Sequence, residues 1–297
     1  MEWKGVIPAI TTPFKPDLSV DHEFLARHAL WLIENGCVGI VVLGSLGEGA
    51  TLRSDEKWDV LRTCSSTLRG KAPLVAGISA LGTDEAVRLA SKAAEAGCSG
   101  LMVLPPYVYS SDWSEMKAHI AAIVRATGLS CMLYNNPVSY KTDFLPEQIH
   151  ELASEFSNLH AVKESSADVR RITAIRALTG DRLAVLAGVD DLVVEAVQAG
   201  AVGWIAGLVN ALPRESVALF DLSCRGDRDK ALQLYRWFLP LLRMDTVPKF
   251  VQLIKLVQQE VGMGSARVRP PRLELEGAEF EQVRATIRSA LGNRPIL

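Results

Sequence analysis

A lysine at the end of a short apolar run is the residue of this chain best placed to do chemistry. Residues 159–166 read LHAVKESS, so that Lys163 ends the run and small hydroxyl residues follow it. We interpret the run as a buried parallel strand with Lys163 at its carboxyl tip. Burial disfavours the ammonium, lowers the pKa and leaves a neutral amine that can attack a carbonyl carbon. The alternative is a lysine that ends a strand and points into water, which is the common case.

The stretches around this lysine predict eight units, each a strand followed by a helix. The predicted strands are 6–10, 38–43, 73–77, 100–104, 130–134, 159–163, 183–187 and 201–205. The predicted helices are 21–34, 54–68, 84–96, 112–126, one that begins at Pro146, 168–178, 190–198 and 213–222, with Asp21 and Ser54 as caps. Continuous apolar strands that alternate with helices indicate a parallel sheet, and eight such units fit an α/β fold of the (β/α)₈ TIM barrel type. An open doubly wound sheet is the alternative, and no G-x-G-x-x-G follows the first strand to support it.

The last part of the chain predicts helices that a barrel does not need. They cover about 227–242, 247–261 and 277–291. We therefore divide the chain into residues 1–224, a barrel that carries Lys163, and residues 225–297, a C-terminal helical extension packed on the barrel. Its helices are expected to cover the side of the barrel or to form subunit contacts.

Residues that follow the strands should meet Lys163, because the active site of such a barrel lies at the carboxyl ends of its strands. Glycine, hydroxyl and phenol groups are frequent there: GSLGE at 44–48, PPY at 105–107, YNNP at 134–137 and GVDD at 188–191. Gly44 and Gly47 allow backbone amides to turn inward and hold a carboxylate. Ser45 can pass a proton, and Tyr134 can exchange one with a carbinolamine oxygen. Alternatively, 44–48 is an ordinary turn whose Glu48 caps amides, and Tyr134 only fills the barrel core.

Composition and charge exclude several other classes of protein. The chain has 297 residues, of which 48% are hydrophobic, and a net charge of −2, which gives no electrostatic basis for binding nucleic acid or an anionic membrane. The five histidines do not gather at strand ends, and neither H-E-x-x-H nor a P-loop motif occurs, so we expect no metal, no cofactor and no NTPase activity.

The cysteines and the hydrophobic runs favour a cytoplasmic protein. The five cysteines are scattered and form no C-x-x-C pair, as expected for reduced core residues. The first residues show no signal-peptide pattern, and no apolar run reaches the length of a transmembrane helix.

Four motifs in order resemble a known family. GSLGE at 44–48, PPY at 105–107, YNNP at 134–137 and VKE at 162–164 resemble the dihydrodipicolinate synthase/N-acetylneuraminate lyase superfamily. Each motif is weak alone, but the resemblance covers essentially the whole chain. It implies a metal-independent enzyme in which Lys163 forms a Schiff base with a small 2-oxo acid, and a homotetramer built as a dimer of dimers.

The resemblance also implies roles for individual residues. Tyr134 would be the general acid and base, and Ser45 would connect it to Tyr107, which in the family commonly comes from a neighbouring subunit. The backbone amides of Ser45 and Leu46 would hold the substrate carboxylate. The positions that match substrate-facing residues of the family are Gly188, Asp190 and Ile205.

Two departures from the family pattern bear on the substrate. Leu46 stands where threonine is usual, so one hydroxyl is missing from the carboxylate loop. Ser139 stands where dihydrodipicolinate synthases carry an arginine that grips an acidic substrate, and the nearby Lys141 does not replace a bidentate arginine.

The motif pair GSLGE and YNNP looks most like enzymes of hydroxyproline breakdown. The expected activity is deamination of 1-pyrroline-4-hydroxy-2-carboxylate to 2-oxoglutarate semialdehyde and ammonia. Within the same superfamily the alternatives are dihydrodipicolinate synthase, N-acetylneuraminate lyase and aldolases of 2-keto-3-deoxy sugar acids or 4-hydroxy-2-oxoglutarate. A non-catalytic sensor of 2-oxo acids is the alternative from another class.

Overall fold

Eight parallel strands form a nearly closed barrel in the computed structural model, which describes residues 1–106 and 112–297. The strands are β1 Gly5–Pro8, β2 Ile40–Val42, β3 Leu74–Ile78, β4 Gly100–Val103, β5 Ser130–Asn135, β6 Leu159–Glu164, β7 Ala184–Ala187 and β8 Gly203–Ala206. Their order is β1-β8-β7-β6-β5-β4-β3-β2. Backbone hydrogen bonds from Val38 to Val6 (3.0 Å) and from Ile10 to Val41 (2.9 Å) connect the ends of the sheet. The predicted TIM barrel is therefore confirmed.

The helices of the barrel surround these strands. They are α1 His22–Glu34, α2 Ser54–Leu68, α3 Thr83–Glu95, α4 Trp113–Arg125, α5 Pro137–Tyr140, α6 Pro146–Glu155, α7 Arg170–Thr179, α8 Val193–Gln198 and α9 Pro213–Arg225. Short 3₁₀ turns occupy Gly49–Thr51, Asp190–Leu192 and Leu208–Asn210. Among the described helices, none is both long and apolar enough to cross a membrane.

Local capping explains where the predicted helix boundaries succeed and fail. The Asp21 carboxylate accepts a hydrogen bond from the Phe24 amide, as predicted. Ser54, predicted as a cap, is instead the first residue of α2. The Glu56 carboxylate accepts from the Arg53 amide (2.9 Å) and places the cap one residue earlier. The sequence patterns also missed α5, which begins at Pro137 and is capped by the Asn136 side chain.

The C-terminal extension consists of α10 Arg228–Leu242, a 3₁₀ turn at Arg243–Asp245, α11 Phe250–Glu260 and α12 Gly277–Gly292. Its apolar residues belong to the same continuous core as those of the barrel, as Phe238, Ile254 and Ile287 illustrate. Lys255 of α11 forms a buried ion pair with Glu48 (2.5 Å), which lies in the loop after β2. The extension is thus attached directly to the loop predicted to bind the substrate carboxylate.

Candidate active site

Lys163 lies inside the mouth of the barrel. It is 7% exposed and pairs in register with Tyr134 on β5 and Leu186 on β7. Its Nζ lies 4.1 Å from the centroid of the Tyr134 ring. The water-facing alternative is therefore excluded for this lysine.

Burial gives Lys163 the protonation behaviour of a nucleophile. Desolvation lowers the pKa of its amine to about 8, against the opposing charges of Asp245 and Asp190. At pH 7 about one amine in ten is then neutral, compared with about three in ten thousand for an ordinary lysine. The amine can therefore attack a carbonyl or imine carbon at neutral pH.

A cavity of about 480 Å³ opens above this amine. Eight of the residues predicted for the site line it: Gly44, Ser45, Leu46, Tyr134, Ser139, Lys163, Gly188 and Ile205. Gly188 creates the space for the lysine, because a Cβ at this position would lie 2.8 Å from Lys163 Cγ and Cε. Most of the residues predicted from the strand ends thus lie around one cavity. Tyr107 lies outside the described residues.

Gly47 and Asp190 are predicted site residues that do not line this cavity. The carbonyl of Gly47 accepts a hydrogen bond from Thr12 Oγ1 (2.6 Å), and a Cβ on Gly47 would lie 2.9 Å from the Ile10 carbonyl oxygen. Gly47 therefore allows the loop to pack closely against the end of β1.

Asp190 is completely buried beneath the cavity and holds the backbone after β8. Its carboxylate accepts hydrogen bonds from Trp204 Nε1 (2.9 Å) and from the amides of Gly207 (3.1 Å) and Leu208 (2.7 Å). Burial nevertheless raises its pKa to about 6, since these donors compensate only part of the desolvation. Its expected contact with substrate is replaced by this anchoring role and by an electrostatic effect on Lys163.

The Tyr134 phenol is protonated at neutral pH and can act as a proton donor. Burial raises its pKa to about 12, and Asn136 Nδ2 donates a hydrogen bond to its oxygen (2.9 Å). Its ring meets the Tyr140 ring edge-on at 5.8 Å between centroids. The hydroxyl of Tyr140 forms a short hydrogen bond with Ser45 Oγ. Lys163, Tyr134, Ser45 and Tyr140 thus form a continuous group of neighbours within one chain.

Sequence reasoning missed Tyr140 and the contribution of the extension to the cavity. Asp245, Thr246 and Arg272 line the cavity, although none follows a barrel strand. Arg272 Nη1 lies 3.9 Å from Glu48 Oε2, and Lys255 Nζ lies closer to the same carboxylate, 2.5 Å from its Oε1. A basic residue beside a proline pair was the only available signal for Arg272, and it does not reveal where the side chain points. Within the described ranges, no group of three or more metal-ligating side chains occurs.

A buried reactive lysine beside a phenol, at the mouth of a (β/α)₈ barrel, defines a Schiff-base enzyme of the lyase and synthase class. The chain belongs to the dihydrodipicolinate synthetase family, whose family model matches residues 2–290.

Individual relatives match this chain along almost its full length. The 4-hydroxy-tetrahydrodipicolinate synthase of Chelativorans sp. (strain BNC1) is 30% identical over 97% of this chain and 98% of its own. Dihydrodipicolinate synthase from Bacillus anthracis superposes with a TM-score of 0.93 at 28% identity, and both chains are covered completely. A prophage protein of the same family from E. coli K12, solved in complex with pyruvate, gives a TM-score of 0.92 at 25% identity over 98% of this chain and 99% of its own.

Proposed function

We propose that this enzyme deaminates 1-pyrroline-4-hydroxy-2-carboxylate to 2-oxoglutarate semialdehyde and ammonia through a Schiff base on Lys163. The observation that carries the proposal is the environment of the Lys163 amine. It faces a cavity with a phenol beside it, and the same cavity is lined by Ser139, which by resemblance stands where the synthases carry an arginine. A small monocarboxylate with an electrophilic C2 suits that cavity better than a second, acidic substrate.

The first half of the reaction opens the ring. The Lys163 amine attacks C2 of the cyclic imine, and the bond between C2 and the ring nitrogen breaks. This leaves Lys163 joined to C2 as an imine and a free amine on C5. The protonated imine withdraws electrons, so that loss of a proton from C3 yields an enamine.

The second half removes the hydroxyl and the nitrogen. The enamine expels the C4 hydroxyl as water, and tautomerisation places an imine at C5. Water releases ammonia from C5, and a second water releases Lys163 from C2. Two molecules of water are consumed, at C5 and at C2, and one is released from C4. The net reaction therefore consumes one molecule of water for each ammonia formed.

The polar residues around the amine are suited to these proton transfers. Tyr134 can give its proton to the departing ring nitrogen and recover it, since burial keeps the phenol protonated. Ser45 and Tyr140 extend this path by one hydroxyl and one phenol. The amides of Ser45 and Leu46, in the loop that Glu48 and Lys255 fix, are expected to hold the C2 carboxylate.

The second candidate is the synthase reaction for which the relatives are named, and those names favour it over deamination. Both reactions use the same Lys163 imine, so the lysine does not separate them. The residue at 139 supports deamination, because a serine offers neither the charge nor the fork of a guanidinium. Assembly as a homotetramer remains a prediction that light scattering can test. The action of Tyr107 across a subunit interface is a separate prediction.

One experiment separates the two candidates. Purified enzyme is given the hydroxypyrroline carboxylate, and ammonia and semialdehyde are measured. In parallel, formation of 4-hydroxy-tetrahydrodipicolinate is assayed with the synthase substrates. We expect ammonia and semialdehyde in equal amounts, with Lys163→Ala as the inactive control. Synthase product without any ammonia would reject the deaminase proposal.

A further inference from the structure

Asp245 brings a carboxyl group from the C-terminal extension into the catalytic cavity. It ends the 3₁₀ turn that follows α10 and lines the cavity together with Lys163. Its Oδ1 packs so closely on the loop after β8 that a Cβ at Gly207 would lie 2.2 Å away. Glycine at 207 therefore makes room for this carboxyl.

Asp190 and Asp245 approach the same residue, Gly207, but are used differently. The Asp190 oxygens are occupied by the Gly207 and Leu208 amides and by the Trp204 indole. Across residues 1–106 and 112–297, no N–H or O–H group donates a hydrogen bond to the Asp245 carboxyl. The carboxyl of Asp245 is therefore available to a ligand, whereas that of Asp190 is not.

The charges around Asp245 favour its protonated form. Burial and the neighbouring Asp190 carboxylate raise the pKa of Asp245 well above its ordinary value. Asp191 acts in the same direction, and the Lys163 ammonium opposes both. When Lys163 is neutral or carries substrate as an enamine, this opposing charge is gone, and a proton on Asp245 is favoured further.

We infer that Asp245 is the general acid that protonates the departing C4 hydroxyl of the Lys163 enamine. The inference rests on the proposed function. It assigns a step for which Tyr134 is poorly suited, because Tyr134 lies beside the amine and serves C2 and the ring nitrogen.

The step balances as a simple elimination. The nitrogen lone pair of the enamine re-forms the C2 iminium, the electrons of the C2–C3 double bond form a C3–C4 double bond, and the C4–O bond breaks. The proton moves from Asp245 to the leaving oxygen, so water departs and Asp245 is left as a carboxylate. Hydroxide is a poor leaving group, and protonation by a positioned acid contributes about 10²- to 10⁴-fold to such steps.

The test separates enamine formation from elimination. Asp245→Asn keeps the shape of the side chain and removes the transferable proton. We expect this variant to retain the borohydride-trapped Lys163 adduct and to exchange substrate C3 protons for deuterium near the wild-type rate. Its release of ammonia should fall by about 100-fold or more. Asp229→Asn is the matched control, because Asp229 is an exposed carboxylate of the same extension and does not line the cavity. It should stay within about twofold of wild type.

A substrate with a different leaving group excludes a merely structural role. Fluoride departs from carbon with less need for protonation than hydroxide, so the 4-fluoro analogue should restore most of the elimination by Asp245→Asn. Equal loss of exchange and elimination, or no loss of ammonia release in this variant, would overturn the inference alone. No elimination from either substrate by the wild-type enzyme would reject the proposed function, and the inference with it.

Discussion

Two lysines of this protein are buried in nearly the same way and are used for opposite purposes. Lys163 is 7% exposed and lies 4.1 Å from the centroid of the Tyr134 ring. Lys255 is 2% exposed and lies 4.4 Å from that of Phe14. Burial lowers the pKa of both amines. The aromatic contact and the desolvation are therefore shared, and neither explains why one lysine is reactive.

The difference lies in the acceptors around each amine. Lys255 Nζ donates to Glu48 Oε1 (2.5 Å) and to the carbonyls of Arg267 (2.7 Å) and Thr12 (2.8 Å). No residue in the described parts of the chain accepts a hydrogen bond from Lys163 Nζ. A fully paired ammonium is held in place and has no lone pair to offer, whereas an unpaired buried amine gains by losing its proton. The comparison indicates that missing acceptors, rather than burial alone, distinguish Lys163, the proposed nucleophile, from Lys255.

Replacing the reactive lysine should have the largest effect on activity. Lys163→Met should lose the borohydride-trapped adduct and turnover down to the background level, because no other lysine in the described part of the chain lines the cavity. Its thermal unfolding midpoint should be equal to or above that of wild type, since methionine fills similar space without desolvating a charge. Mass spectrometry of the reduced adduct and a thermal melt test both parts. A trapped adduct in this variant would show that another amine is the nucleophile.

Replacing the paired lysine should affect mainly stability. Lys255→Met leaves the Glu48 carboxylate buried without its main partner and should lower the free energy of unfolding by about 3–5 kcal/mol. Denaturant titration measures this loss. The double variant Lys255→Met/Glu48→Gln removes both charges and should recover part of it. Equal destabilisation of the single and double variants would contradict the importance of the unpaired carboxylate.

The pH dependence should distinguish the two amines without any substitution. The pKa of Lys163 is lowered to about 8, so its neutral fraction rises with pH and levels off above 8. Between pH 6 and pH 8 the rate of adduct formation with pyruvate should therefore increase by about 50-fold. Stopped-flow or quench trapping across this range provides the measurement. A rise that continues to pH 10 would mean that burial does not lower the pKa of Lys163.

Removing the phenol that bonds Ser45 should have the smallest of these effects. Tyr140→Phe keeps the ring contact with Tyr134 but loses the hydrogen bond to Ser45. We expect kcat to fall by about tenfold with little change in KM, below the full effect of a direct acid–base group. Tyr235→Phe is the control, because its phenol bonds the Asp191 carbonyl away from the cavity. Tyr107→Phe, measured beside it, shows which phenol completes the path during turnover.

Strand-end reasoning predicted the barrel and most of the cavity for a geometric reason. Parallel strands of a closed barrel all end at one mouth, so counting strands is enough to bring Lys163, Tyr134 and the 44–48 loop together. The same rule misplaced Asp190, because following a strand does not decide whether a carboxylate points into the cavity or back towards amides beneath it. It also did not predict Tyr140 as a site residue, since a four-residue helix has no periodicity to detect.

The sequence by itself therefore determined the fold, the family and the strand end at which Lys163 lies. Each of these depends on a local pattern, an apolar run with its last residue, repeated in a regular order. Only the tertiary structure decided which buried amine lacks acceptors, which phenol reaches Ser45, and that Asp245 of the extension enters the cavity. These features depend on contacts between residues far apart in the chain, and a contact of that kind leaves no periodic signal in the sequence.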